Sequence, residues 1–270
     1  MSKPILITGS TDGIGLETAK LLAADGHTVL MHGRSSEKLA AAMQTVAKHT
    51  DGAAIETFKA DLSSLADVDA LAKAVAARGA PLDVLINNAG VYKTRDPITA
   101  DDLDARFVVN TIAPYRLTRL LLPQIPASGR VVNLSSAAQA PVQIEALRGQ
   151  IRVEDMQAYA QSKLAITMWT KSLAEELRSG PVVVSVNPGS LLASKMVKEG
   201  FGVAGNDLSI GAEILVRAAL SDEFATASGK YFDNDSGRFA PPHRDGLDHV
   251  KINNVVAAVE DIITSLSTGT

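Results

Sequence analysis

The sequence has no cysteine, which excludes disulfides, thiolate nucleophiles and cysteine-based zinc sites. It also lacks any cluster of basic residues. With 26 Lys and Arg against 30 Asp and Glu, the net charge is −4, whereas a nucleic-acid binder normally carries a basic face. No apolar run reaches membrane-spanning length, and the opening MSKPILITGS has no apolar region long enough for a signal peptide. These absences predict a cytoplasmic protein without nucleic-acid or membrane partners. The triplets Asn133-Leu134-Ser135 and Asn234-Asp235-Ser236 then carry no meaning as glycosylation sites. Repeats, linkers and low-complexity tracts are missing too, so residues 1–270 are expected to form one domain.

What is present is an alternation of short β-type runs with longer helical patterns. PILITG, HTVLMHG, AIETFKA, LDVLINN, GRVVNLSS, PVVVSVNPG and a weaker GKYFD read as about seven strands. Helices are expected over about 14–24, 36–48, 63–78 and 103–122, around Tyr159, and near 247–266. Runs such as VLMHG and PVVVSV are apolar on both faces, as strands covered by helices on both sides should be. The expectation is an α/β Rossmann fold, a single-domain, doubly wound parallel sheet with helices on both faces.

The first turn, TGSTDGIG, places Gly9, Gly13 and Gly15 between the first strand and the first helix. Glycines there admit a tight turn and a close approach to a pyrophosphate, and the helix N-terminus favours the anion. An ordinary glycine turn is the competing reading. At the end of the second strand, a carboxylate would bind the ribose hydroxyls of NAD. The chain has Gly33-Arg34-Ser35 instead, which leaves room for a 2′-phosphate that Arg34 can bond bidentately. Asp12, an acid in the glycine turn, opposes this. NADP(H) is expected, with NAD(H) possible.

In AYAQSKLA, Tyr159 precedes Lys163 by four residues, which places both on one helix face. An ammonium about 4 Å from a phenol, at an effective dielectric of ~20, contributes roughly 4 kcal/mol, or about 3 pKa units. That would bring a phenol from ~10 to the neutral range, where it serves as an acid–base group. Taken alone, the pair could equally be a buried ring beside a solvent-seeking amine.

TGSTDGIG, NNAG at 87–90, Asn110, NLSS at 133–136, Tyr159-x-x-x-Lys163 and NPG at 187–189 occur together and in order. With them the chain resembles the short-chain dehydrogenase/reductase family over nearly its whole length, closest in motif style to its retinol-dehydrogenase-like and carbonyl-reductase branch. The resemblance implies that Tyr159 exchanges a proton with a carbonyl or alcohol oxygen, and that Lys163 lowers the phenol's pKa and bonds the nicotinamide ribose. Ser136, with Ser135 as the fallback, would bond the substrate oxygen. Asn110 would bend its helix and hold a water of the proton relay. It also implies cofactor contacts from Gly9, Ser10, Asp12, Gly13, Ile14, Gly15, Arg34, Ser35, Asp61, Leu62, Asn88, Ala89, Gly90, Pro188, Gly189, Leu191 and Ser194. Asp61 would bond the adenine amino group, and Asn88 would support the sheet. Homodimers or homotetramers that bury the Tyr159 helix and the helix before it are implied as well.

Two departures stand out. Ser136 and Tyr159 are separated by 22 residues, and this longer segment either shapes the substrate mouth or is a tolerated surface insertion. Beyond Pro188-Gly189, where the family often has Thr, the chain has Ala193 and then Ser194. The stretch 190–207 would form a substrate loop, with Leu191, Leu192, Met196, Val197 and Phe201 lining an apolar pocket or packing as a lid. Residues 240–270 form a C-terminal extension. The expected activity is hydride transfer between NADP(H) and a largely apolar carbonyl or alcohol. The competing readings are a catalytically idle NADP-binding regulator and a sugar-nucleotide epimerase or dehydratase. The latter is disfavoured by the mere 80 or so residues after Pro188.

Overall fold

Every expected β-run becomes a strand because its alternate side chains find two separate apolar layers. In a computed structural model, which describes residues 2–50, 52–190, 192–193 and 205–268, the elements follow the predicted order. They begin β1 (Pro4–Ile7), α1 (Gly13–Ala24), β2 (Thr28–Gly33), α2 (Ser36–Ala47), β3 (Ile55–Lys59), α3 (Leu65–Ala76) and β4 (Val84–Asn87). Next come α4 (Ala105–Phe107), a π-helical segment Val108–Ile112, α5 (Ala113–Leu121) and β5 (Arg130–Leu134). The chain continues with α6 (Ile144–Leu147), α7 (Asp155–Glu176), β6 (Val182–Asn187), α8 (Leu208–Leu220), β7 (Tyr231–Asp233), β8 (Arg238–Ala240) and α9 (His249–Thr268).

The sheet runs β3-β2-β1-β4-β5-β6-β7-β8, parallel except for β8. Leu6 sits in register with Leu30 and Leu85, Leu85 with Val131, and Val131 with Val183. All five point into the layer shared with α3, α5, α7 and α9. Their neighbours Ile5, Ile7, Val29, Met31, Val84, Ile86, Val132 and Val184 point into the opposite layer with α1, α2 and α8. Each fully buried Leu, Ile or Val contributes roughly 1.5–3 kcal/mol, so both faces of every central strand hold the sheet.

Two differences from the expectation have local causes. An eighth strand, β8, follows the seven expected and pairs antiparallel with β7. Its three residues are too short to show alternation, but Phe239 lies 5.1–5.2 Å, centroid to centroid, from Phe232 and Phe224. Pro241 and Pro242 end the strand at the sheet edge. The helix expected over 103–122 is interrupted by the π segment around Asn110. Pro114 has no N–H to offer the carbonyl four residues back, that of Asn110, and a π turn accommodates that gap.

The segment between Ser136 and α7 is built into the molecule. Ala146 and Leu147 are buried in the α7 layer, Gly149 lies against Asp102, and Arg152 pairs with the Asp102 carboxylate. Every residue of α7 from Ala160 to Thr170 is buried. Tyr115 donates to Glu260 of α9 at 2.6 Å, and Trp169 is fully buried edge-on to Tyr115. Among the described residues no helix is long and apolar enough to cross a membrane.

Candidate active site

The strand order reverses between β1 and β4, and in open α/β sheets that is where a crevice forms beyond the C-terminal strand ends. The glycine turn lies there. Gly9 and Gly13 have φ of +65° and +55°, values L-residues rarely adopt. A Cβ on Gly15 would stand 2.4 Å from the Gly9 carbonyl oxygen and 2.5 Å from Asn88 Nδ2. Asn88 donates that amide to the carbonyls of Thr8 and Gly9 at 2.8 and 3.0 Å, and Ala89 N–H donates to Thr8 Oγ1 at 3.0 Å. The turn is thus clamped by the NNAG segment, with Ile14 and Gly90 half-buried beside it. The Ser10 hydroxyl is fully buried and bonded to the His32 backbone. Asp12 is exposed and caps α1 through Gly13 N–H at 2.7 Å.

Gly33 is required for packing as well as for room, since a Cβ there would meet the Thr11 methyl at 2.5 Å. Arg34 is exposed, and Ser35 caps α2 by accepting from Lys38 N–H at 3.3 Å. Asp61 Oδ1 accepts from both the N–H and the hydroxyl of Ser63, at 2.9 and 2.8 Å, next to buried Leu62. The cap of α3 is Ser64.

A second group of polar side chains comes together beyond β4 and β5 and along the N-terminal half of α7. Ser135 is buried, donating to the Lys163 carbonyl at 2.8 Å and lying 2.7 Å from Thr167 Oγ1. Ser136 reaches the Tyr159 phenol with its hydroxyl. The Ser136 carbonyl accepts from Tyr231 Oη at 3.1 Å and from Gln139 Nε2 at 3.0 Å. Lys163 is buried, its ammonium 5.7 Å from the centre of the Tyr159 ring and donating to the Leu134 carbonyl at 2.8 Å. Asn110 accepts from Val91 N–H at 2.8 Å and donates to Val91 O and Ser162 Oγ, both at 3.0 Å. Its side-chain amide is therefore engaged on the Val91 backbone and on α7. Beyond β6, buried Pro188 and half-buried Gly189, the latter with φ of +122°, lead into Ser190, which Asp235 holds through N–H and hydroxyl at 2.7 and 2.5 Å. Leu191, Ser194, Met196, Val197 and Phe201 lie outside the described residues, while Leu192 is buried and Ala193 N–H bonds Asn206 at 2.6 Å.

Residues 3–203 match the short chain dehydrogenase family. The chain belongs to that family. It is 32% identical to mouse (Mus musculus) retinol dehydrogenase 13 over 251 residues, 86% of this chain and 75% of that protein. A crystal structure of an uncharacterized Mycobacterium paratuberculosis protein superimposes with a TM-score of 0.79 at 29% identity, covering 96% of this chain and 92% of that one. A short chain dehydrogenase from Burkholderia cenocepacia, solved in complex with NADP, gives 0.69 at 27%, covering 87% and 97%. As a short chain dehydrogenase the protein is an oxidoreductase acting on CH–OH and C=O groups with a nicotinamide cofactor.

The electrostatics of this short chain dehydrogenase are governed by burial. Burial pushes the Tyr159 phenol up, and only the Ser136 hydrogen bond pulls it down. Burial also brings Lys163 down to about 8. Two residues were not singled out in the sequence. His32, brought to about 4 by burial, is neutral, so its Nδ1 accepts from Gly9 N–H at 3.1 Å while Nε2 lies 3.2 Å from the Ala60 carbonyl. It ties the glycine turn to the start of the Asp61 loop, and its one signal was a polar residue inside an apolar strand. Tyr92 sets its ring edge-on to Tyr159 at 5.4 Å, and no spacing rule would have flagged it.

Proposed function

We propose that this short chain dehydrogenase reduces a largely apolar aldehyde or ketone, or oxidises the corresponding alcohol, with NADP(H) in preference to NAD(H). The observation that carries the reading is the convergence of Ser136, Tyr159 and Lys163 beside the clamped glycine turn. The turn fits a dinucleotide pyrophosphate. Positive φ at Gly9 and Gly13 and the missing Cβ at Gly15 bring backbone close, and the N-terminus of α1 faces the same side. The bound nicotinamide supplies or takes the hydride. Arg34, exposed at the end of β2, is the group for a 2′-phosphate, and Asp61 with Leu62 would bound the adenine.

Tyr159 donates its phenolic proton to the carbonyl oxygen, and Ser136 shares that oxygen by a hydrogen bond. A phenol kept protonated by burial at neutral pH suits the reductive direction. Lys163, four residues on along α7 and brought down to about 8 by burial, would supply the replacement proton. Leu192, Tyr92 and the ordered 137–153 segment would give the substrate an apolar mouth, in keeping with the retinol named for the mouse relative. An oligomer that buries α5 and α7 would require α9 to move aside, so we place any subunit contact elsewhere. The test is consumption of NADPH and of NADH against a panel of apolar ketones and aldehydes. NADPH-selective turnover supports the reading, and tight NADPH binding without turnover across a broad panel contradicts it.

A further inference from the structure

The helix that presents Tyr159 begins without a capping side chain, since Glu154 makes no such bond. An uncapped first turn frays readily, and Tyr159 lies only one turn from that end. One buried group compensates. Arg106, 3% exposed, binds the Asp104 carboxylate with Nε and Nη2 at 2.8 and 2.6 Å. Its remaining nitrogen, Nη1, bonds the carboxylate of Asp155, the first residue of α7, and reaches the Tyr92 carbonyl at 3.4 Å. Asp155 precedes Tyr159 by four residues and shares its face.

Asn110 stands four residues after Arg106 and repeats the pattern one turn along. It joins Val91, on the same loop as Tyr92, to Ser162 of α7, and Ser162 in turn donates to the Tyr159 carbonyl at 2.7 Å. Arg106 and Asn110 are thus two rungs between the loop after β4 and α7. The Tyr92 ring stands edge-on against the Tyr159 ring. The second rung grips α7 just beyond Tyr159, and Arg106 grips it just before. A guanidinium keeps its charge over the whole working pH range and its fork fixes direction.

We propose that Arg106 and Asp155 are positioning residues: their ion pair pins the first turn of α7 and thereby sets where the Tyr159 hydroxyl stands relative to Ser136. The proposal rests on Tyr159 being the acid–base group. Asp155 is the residue to change, because its side chain is half exposed and Arg106 keeps Asp104 when it is neutralised. In Asp155→Asn, amide hydrogen exchange of residues 155–159 should quicken in the cofactor-free protein while β4 and β5 stay protected. With NADPH and the ketone or aldehyde that the parent turns over fastest, kcat should fall about tenfold, with KM and the NADPH dissociation constant within about twofold, as a small misplacement of a reacting group does. Asp155→Glu should restore most of the rate. Unchanged exchange, or kcat within about twofold of the parent while Tyr159→Phe is inactive, overturns the proposal alone. A kcat loss that vanishes well below the variant's melting temperature marks a merely structural role and overturns it too. Turnover surviving in Tyr159→Phe removes the acid–base reading, and the positioning role with it.

Discussion

Lys163 places a measurable burden on the fold. Burial lowers its pKa from 10.5 to about 8, and its side chain is 4% exposed. Below the folded-state value, folded and unfolded chains both hold the proton, and the folded chain bears the full cost of an ammonium withdrawn from water. Between about 8 and 10.5 the unfolded chain binds more protons than the folded one, so stability must rise with pH. The whole effect is about 3 kcal/mol, of which about 2 kcal/mol should appear between about pH 7 and about pH 9.5. Lys163→Met removes this titration while keeping an apolar stem of similar length. Other groups titrate alike in both proteins, so the stability difference between them isolates the lysine. Urea unfolding of cofactor-free protein at a series of pH values measures it. Lys163→Met should be the more stable protein near neutrality, less the loss of the bond to Leu134, and its advantage should shrink by about 2 kcal/mol towards about pH 9.5. A difference that stays flat across that range would refute the claim that this amine is held desolvated.

Other perturbations have equally definite outcomes. Arg34→Ala should raise the Michaelis constant for NADPH by roughly 10–100-fold and leave that for NADH nearly unchanged, because a charge-assisted bond of about 1.5–3 kcal/mol is lost only with the phosphate; equal effects on both cofactors would remove Arg34 from the site. Gly15→Ala puts a Cβ 2.4 Å from the Gly9 carbonyl and 2.5 Å from Asn88, so the turn must open. Nicotinamide cofactor binding, followed by calorimetry, should drop at least tenfold, on the order of 1.4 kcal/mol or more, and retention of parental affinity would contradict the clamped turn.

Much of this architecture was legible because the sheet imposes a strong pattern. VLMHG and PVVVSV are apolar on both faces, and only strands between two helix layers satisfy that. The glycine turn and the Ser135-Ser136 pair were legible as types, but which serine meets Tyr159 depends on Ser135 being taken by Lys163 and Thr167, which only the fold brings near. Asn110 was expected to bend its helix. The cause was present in the sequence as Pro114, four residues on, yet its consequence needed the hydrogen-bond ladder to be followed. The expected effect of Lys163 on Tyr159 set an ammonium about 4 Å from the phenol in a medium of dielectric ~20 and left out the burial of both groups, which raises the phenol and lowers the amine. β8, His32 and Tyr92 escaped because each is a short or single-residue feature whose meaning lies in partners distant along the chain.

The central claim is that the Tyr159 phenol carries the proton. The direct measurement is single-turnover oxidation of NADPH by the parent and by Tyr159→Phe, with the best ketone or aldehyde of the panel and with NADPH binding measured separately. The rate should fall by about 10²–10⁴-fold while NADPH binds as before. A Tyr159→Phe protein that binds NADPH and transfers hydride within about tenfold of the parental rate would contradict the mechanism.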